Sequence, residues 1–186
     1  MTSATICWRR LDQEGHDSCR LHSHAGGWSL EGIAIFLQEA RPACLRYAVE
    51  CDEQWQTHKA SVSGWLGDET LSLRIIRTAS GEWLLNGVAQ DIREGLIDLD
   101  LGFTPATNTI ALRRLRLGIG HEEAAPAAYL AFPELRLDLL EQRYKRIDGR
   151  RYAYEALRFS YDATLKVSEE GFVRYYPGLW EAVGSR

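Results

Sequence analysis

The chain has 186 residues and a mass of 21.1 kDa, the size of one ordinary domain, so we expect a single domain over residues 1–186. Its formal net charge is −4 and its pI is about 5.8, which argues against a nucleic-acid partner because phosphate binding requires a positively charged surface. No stretch approaches the roughly 18 apolar residues of a membrane-spanning helix, and the first ten residues lack the apolar run of a signal peptide. We therefore expect a cytoplasmic protein without an integral membrane segment.

Period-two alternation of apolar and polar residues runs through the chain and predicts antiparallel strands. It covers residues 45–52 and returns around residues 71–75, and it is clearest over residues 157–167. We expect Leu157–Val167 to form one long strand with a dry face and a wet face. Tight turns are predicted where residues tolerant of positive φ separate these runs, at Ser80-Gly81, Asn86-Gly87, Asp148-Gly149 and Glu170-Gly171.

The apolar parity changes within two strand-like stretches, between Leu139 and Leu140 and between Ala156 and Leu157. A slip of one residue is the sequence pattern of a β-bulge, which bends a strand. Long strands that bend favour a sheet that curls towards a barrel. We therefore predict a mainly β protein, with a curved antiparallel sheet that forms a half-open barrel.

Evidence for helices is limited to short segments. Thr104-Pro105 offers an N-cap followed by proline at the first helical position. Residues 108–117 fit either a short helix or a strand. We expect one or two short helices beside the sheet.

Four cysteines, at positions 7, 19, 44 and 51, contain no C-x-x-C pair and do not resemble a zinc site. Because we see no export signal, we expect four reduced thiols. We expect neither a bound metal nor another cofactor.

Asp98 and Asp100 leave the same face of a predicted strand, about 7 Å apart by the strand rise. This spacing overlaps the roughly 6.5–9.5 Å between the carboxylates of inverting glycosidases. Catalytic pairs normally flank the scissile bond from different elements, however, so the two aspartates can also lie on a solvated face or bind sugar hydroxyls. His22 and His24 likewise share a strand face and could be two metal ligands, although no third ligand is identifiable.

Aromatic residues are the unusual part of the composition, with six tryptophans and eight tyrosines. Trp55, Trp65 and Trp83 lie at or near the ends of predicted strands. An indole can stack on a sugar ring or cover an acyl chain while its N–H finds an acceptor. The same residues can also close the ends of a barrel core, so composition alone leaves both interpretations open.

Several sequence islands together resemble a bacterial glycolipid-binding family long catalogued as a domain of unknown function. The islands are Tyr47–Asp52 with Trp55-Gln56-Thr57, Gly81-Glu82-Trp83, Asp98–Leu101, Thr104–Thr109, Gln142-Arg143-Tyr144, and Gly171-Phe172-Val173 through Tyr176–Trp180. The resemblance implies a spiral β-roll, similar to the half-open barrel of bacterial lipoprotein-localisation factors, in which an apolar hollow holds acyl chains under a helical lid. It carries over no catalytic residues.

These observations favour a binding protein that holds an amphipathic small molecule, a glycolipid or a lipid, in an apolar hollow. The candidate ligand-binding residues are Trp55, Trp65, Trp83, Asp98, Asp100, Thr107, Asn108 and Tyr144. Two alternatives remain open. One is a sugar- or lipid-processing enzyme that uses Asp98 and Asp100 or His22 and His24, and the other is an interaction protein that forms a homodimer or larger homo-oligomer.

Overall fold

The computed structural model of the protein describes residues 3–185; Met1, Thr2 and Arg186 of the expected domain lie outside them. The first half of the chain is an antiparallel meander in which each strand pairs with the next. Its strands are β1 (Ser3–Arg10), β2 (Gly15–His24), β3 (Gly27–Gln38), β4 (Arg41–Cys51), β5 (Thr57–Leu66), β6 (Glu69–Arg77), β7 (Trp83–Leu85) and β8 (Val88–Ala89). The alternation of the sequence reappears as alternating burial, because one face of this meander covers the core.

The described part of the second half, up to residue 185, contains one α-helix and nine further strands. They are β9 (Asp98–Leu101), α1 (Asn108–Leu115), β10 (Glu122–Ala124), β11 (Ala127–Ala131), β12 (Arg136–Leu140), β13 (Gln142–Arg146), β14 (Arg151–Ala156), β15 (Tyr161–Val167), β16 (Val173–Tyr176) and β17 (Trp180–Ser185). Strands β13–β17 form a second meander, and β17 pairs with β1. The two meanders thus form one curved 14-stranded antiparallel sheet, which ends at β10 and β8 without closing within the described residues. The predicted half-open, mainly β architecture is confirmed.

An inner layer occupies the hollow of this sheet. It consists of α1 and a three-stranded sheet in the order β12-β11-β9, in which β9 and β11 run parallel. Its side chains reach both halves of the outer sheet: the ring of Phe103 lies 6.4 Å from that of Phe36 on β3, and Asn108 hydrogen-bonds Tyr144 on β13. Both layers share one hydrophobic core. Much of the hollow is therefore filled by the protein's own residues.

The prediction of one strand from Leu157 to Val167 is wrong at its beginning. Residues Leu157–Phe159 form a 3₁₀ turn, Ser160 takes a left-handed conformation with φ of 47°, and Ala156 pairs with Tyr161 across the hairpin. The parity change at Ala156 is therefore a hairpin turn and not a bulge. Leu157 and Phe159 continue the apolar alternation of the sequence, but in the turn they are exposed, with 57% and 51% of their surface accessible.

The parity change at Leu140 is likewise not a bulge. Strand β12 ends there and β13 begins at Gln142 in the other sheet, so the chain changes layer. Bulges or register shifts occur instead between Cys7 and Trp8, between Glu50 and Cys51, and between Lys166 and Val167.

The predicted turn at Asn86-Gly87 and the predicted short helix are both present, but the helix begins later than its N-cap signal indicated. Asn86 and Gly87 have φ angles of 50° and 82° at the β7–β8 turn. Residues Asn108–Leu115 are helical, but the N-cap is Thr107; Thr104 instead accepts a hydrogen bond from the backbone N–H of Ala106. All four cysteines are free. Within residues 3–185, no helix is long and apolar enough to cross a bilayer.

Candidate functional site

A cleft of about 320 Å³ opens between the inner layer and the part of the outer sheet formed by β14–β17 and β1. Its volume is at the lower end of the range for small-molecule sites. The cleft is lined by Arg10, Asp12, Asp100, Gly102, Thr104, Pro105, Asn108, Tyr129, Leu140, Tyr154, Ala156, Phe159, Tyr161, Tyr176, Leu179 and Trp180. Aromatic side chains and a few polar groups therefore converge from seven strands, the helix and their connections.

Aromatic rings form the walls of the cleft. On the outer sheet, the ring of Tyr176 lies 5.5 Å from that of Tyr154 and 5.4 Å from that of Tyr161. The hydroxyl of Tyr161 donates to the carbonyl of Pro177 at 2.6 Å, which ties this wall to the turn before β17. On the other side, the rings of Tyr129 and Phe159 lie 5.6 Å apart.

Asn108 is held at the floor of the cleft by a chain of hydrogen bonds. Its Nδ2 donates to the hydroxyl of Tyr144 at 2.7 Å, and Tyr144 donates to Oε1 of Gln142 at 3.3 Å. The hydroxyl of Tyr154, on the wall, donates to the same oxygen at 2.9 Å. Tyr144 thus lies behind the floor and fixes the orientation of Asn108.

Asp100 is the carboxyl group of the floor. It lines the cleft although only 9% of its surface is exposed. Its pKa is raised to about 7, chiefly by burial; a hydrogen bond from Thr107 opposes the shift and the nearby charge of Asp98 adds to it. The sequence-based alternative of a solvated strand face is wrong for this residue.

Asp98 is buried as well, but it is not among the residues that line the cleft and it has its own counter-ion. Its two carboxylate oxygens accept hydrogen bonds of 2.8 and 2.7 Å from Nε and Nη2 of Arg114 on α1. Burial raises the pKa of Asp98, and Arg114 opposes that shift. The two aspartates therefore do not face one substrate as a catalytic pair.

A buried cluster connects the floor to the first meander. Asp17 on β2 accepts hydrogen bonds from the hydroxyls of Tyr47, at 3.0 and 3.1 Å, and of Thr104. Burial raises the pKa of Asp17 to about 7, while the two hydroxyl donors lower it. Because Thr104 also lines the cleft, this cluster fixes one edge of the floor.

The three predicted tryptophans lie outside the cleft. The indole of Trp55 stacks on that of Trp28 at 4.7 Å with Arg113 above it, and Nε1 of Trp83 donates to the carbonyl of Leu96 at 3.0 Å. Trp65 is 43% exposed on the outer face of β5. The tryptophan that lines the cleft is Trp180. It belongs to the Tyr176–Trp180 island that resembles the glycolipid-binding family, and it was not among the predicted ligand-binding residues.

The two histidines of the metal alternative do not form a metal site with their neighbours. The rings of His22 and His24 lie 6.5 Å apart, and Glu31 is 4.0 Å from His22. Among residues 3–185, no three side chains of histidine, cysteine, aspartate or glutamate are grouped so that they could hold a metal ion.

Two depressions are larger than the cleft, at about 540 and 520 Å³. They meet at Thr5 and are lined mainly by charged and hydroxyl side chains, several of them in surface ion pairs such as Arg150–Glu169 and Arg20–Glu31. The smaller cleft alone joins a wall of aromatic rings to buried polar groups, which is the usual composition of a ligand site.

Comparisons with known proteins agree with this architecture. A family model with the description "Putative glycolipid-binding" matches residues 5–182. The fold is similar to the crystal structure of a DUF1089 family protein from Pseudomonas aeruginosa, with a TM-score of 0.77 and 29% sequence identity over 87% of this chain and 89% of that chain. No curated protein sequence matches the chain.

Proposed function

Because this chain belongs to the family described as "Putative glycolipid-binding", we propose that it binds a glycolipid or a related lipid, with the head group in the cleft. The observation that carries the proposal is the combination of rings and buried polar groups in one opening. Sugar rings stack on aromatic faces through their C–H surfaces, while carboxylates and amides hydrogen-bond their hydroxyls. Asp100 and Asn108 provide those polar groups here.

The volume of the cleft limits which part of the ligand is buried. About 320 Å³ accommodates a head group and the first methylenes, but not two complete acyl chains. The polar groups lie at the floor, and the exposed apolar side chain of Phe159 lines the cleft from the turn before β15. We therefore expect the head group to enter first and the chain to leave along this turn, at about 0.8 kcal/mol per methylene removed from water.

Tryptophan fluorescence during titration with decyl glucoside tests this proposal. We expect a saturable change in the wild type that is lost in Trp180→Phe, because Trp180 lines the cleft. Trp65→Phe, an exposed tryptophan outside the cleft, is the matched control and should keep the response. A response that persists in Trp180→Phe and disappears in Trp65→Phe would move the site to the outer face of the sheet.

A homodimer is a second candidate function, favoured by one surface feature. Ile35, Cys44 and Trp65 lie directly opposite one another on three adjacent strands, and Ile35 and Trp65 are exposed. A flat apolar row of this kind suits self-association about a two-fold axis. Light scattering should then show a dimer in the wild type and a monomer in Trp65→Ser; a monomer in both would remove the candidate.

The proposed place of action is the cytoplasm. The support is that all four cysteines are free, as is usual in a reducing compartment. Thiol titration of the freshly purified, denatured protein without reductant should find four thiols, whereas two or none would argue for an oxidising compartment.

A further inference from the structure

We propose that the head group bound in the cleft carries a positively charged nitrogen, as an amino sugar or a quaternary ammonium does. This inference rests on the proposed function and specifies the class of its ligand. Two features of the cleft support it independently: a carboxylate without a counter-ion at the floor, and aromatic rings that surround the space above it.

The carboxylate is that of Asp100. Among residues 3–185 no lysine, arginine or histidine forms an ion pair with it, and its hydrogen-bond partner is Thr107. Asp98, two positions earlier on the same strand, by contrast accepts hydrogen bonds from Nε and Nη2 of Arg114 on both of its carboxylate oxygens. A buried carboxylate without a counter-ion destabilises the protein. A cationic ligand can therefore form the ion pair that Asp100 lacks.

The rings form an enclosure of the kind that binds cations. The ring planes of Tyr154 and Tyr176 are inclined by 79°, and those of Tyr161 and Tyr176 by 59°, so they present both faces and edges to the cleft. Trp180 and Tyr129 lie on the same opening, but the guanidinium groups of Arg10 and Arg158 already lie over their rings, so the three tyrosines of the outer sheet are the rings left for a ligand cation. The faces of aromatic rings attract cations, and enclosures of several rings recognise quaternary ammonium groups.

Most of the other charged groups around the cleft are held in ion pairs. Arg10 forms hydrogen bonds of 3.0 and 2.7 Å with Asp12 and lies over the ring of Trp180. Arg158, beside Tyr129, is paired with Asp138 at 2.8 Å. Asp98 is paired with Arg114 on α1, and the charge of Glu134, in the β11–β12 turn, raises the pKa of Tyr129. Asp17 is a second buried carboxyl, but its oxygens accept hydrogen bonds from Tyr47 and Thr104 and it does not line the cleft. Among the described residues, Asp100 is therefore the carboxyl that lines the floor without a counter-ion.

The titration of Asp100 is separated from that of the tyrosines around the cleft, whereas the buried Asp17, behind Thr104, also has a pKa raised by burial to about 7. Burial raises the pKa of Asp100 to about 7 and that of Tyr129 to about 12. Burial also raises the pKa of Tyr144, Tyr154 and Tyr176 above that of a free phenol, so these residues stay neutral near pH 7. A cation that binds the carboxylate should accordingly displace a proton below the pKa of Asp100, whereas a neutral ligand should not.

Isothermal titration calorimetry with two single-chain amphiphiles, both below their micelle concentrations, tests the inference. Decyltrimethylammonium carries a charge that does not titrate, and decyl glucoside is the neutral counterpart with the same chain. At about pH 8 we expect decyltrimethylammonium to bind at least about tenfold more tightly. Between about pH 8 and pH 5.5 its affinity should fall by about thirtyfold, because the competent, ionised fraction of Asp100 falls tenfold per unit below its pKa. Its binding enthalpy near pH 7 should also depend on the ionisation enthalpy of the buffer.

Asp100→Asn should abolish the preference and its pH dependence, while Asp68→Asn, which removes an exposed charge from the β5–β6 turn, should leave both unchanged. If the Asp100 variant does not fold, the preference of the wild type for the cation at about pH 8 remains the test, because Asp17 also has a pKa of about 7 and the pH profile alone does not distinguish the two carboxyls. Saturable binding of decyl glucoside with the response of Trp180, but with no preference for the cation, would overturn the inference and leave the proposed function standing. Binding of neither amphiphile would overturn both.

Discussion

Asp98 and Asp100 lie two positions apart on β9, yet their carboxylates meet different surroundings. Asp98 accepts two hydrogen bonds from Arg114, and Asp100 reaches the floor of the cleft with Thr107 as its hydrogen-bond partner. The first aspartate therefore belongs to the structural core, and the second is the group available to a ligand. Substitutions at the two positions should have opposite effects on stability.

Asp100→Asn should stabilise the protein at alkaline pH. Because burial raises the pKa of Asp100 in the folded state to about 7, above the roughly 3.9 of an unperturbed aspartate, the native state holds the proton more tightly than the unfolded chain. Ionisation then costs stability: the cost begins near pH 4, grows with pH and reaches about 4 kcal/mol above about pH 7. Urea unfolding at about pH 8 and pH 5 should show a gain that is larger by about 2–3 kcal/mol at the higher pH; an equal effect at both would contradict the buried, ionising carboxyl.

Asp98→Asn should destabilise the protein at every pH at which the carboxylate is ionised. The substitution leaves the guanidinium of Arg114 without its bidentate partner, and breaking a buried pair costs about 3–5 kcal/mol. Arg114 is partly exposed, so the lower end of that range is expected. The double variant Asp98→Asn, Arg114→Gln should recover part of the loss, and an unchanged midpoint in the single variant would contradict the assignment.

At the scale of elements, the cleft is organised by contacts between layers. Gly32 on β3 lies under the ring of Tyr47, whose hydroxyl joins Asp17 and Thr104. A Cβ atom at position 32 would stand 2.3 Å from Cζ of that ring, too close for any side chain. The glycine thus allows the tyrosine to lie flat across the sheet and reach the floor of the cleft.

Gly32→Ala should therefore lower the thermal midpoint by an amount that corresponds to about 1–3 kcal/mol, since overpacking displaces Tyr47. Gly149→Ala is the control, because a Cβ atom there meets nothing within 4 Å. Calorimetry of both variants checks the prediction. Equal midpoints for the two would mean that Tyr47 moves without cost and does not fix Thr104.

The elements also show what the sequence could predict. Alternation and Asn-Gly or Asp-Gly signals predict strands and hairpins because both depend on neighbouring residues. Leu157 and Phe159 continue the alternation as exposed side chains on a turn, so periodicity alone could not detect that turn. Asp100 and Asn108 were identifiable as candidate residues, but Trp180 enters the cleft only through the pairing of β17 with β1, which no local pattern encodes.

At the scale of the whole molecule, the pairing of β17 with β1 joins the two meanders, and the inner layer contacts both. We therefore propose a single β-roll domain that unfolds as one unit. Differential scanning calorimetry should show one transition whose van't Hoff and calorimetric enthalpies agree. Two separated transitions would mean that the meanders are independent.

The central claim is that an amphiphile places its head group in the cleft between the inner layer and β14–β17. The most direct measurement is a crystal structure of the protein with decyl glucoside below its micelle concentration. We expect density for the sugar against Trp180 and Tyr161, within hydrogen-bond distance of Asp100 or Asn108, with the chain leaving past Phe159. Density on the outer face beside Trp65, or an unoccupied cleft at a saturating concentration, would contradict it.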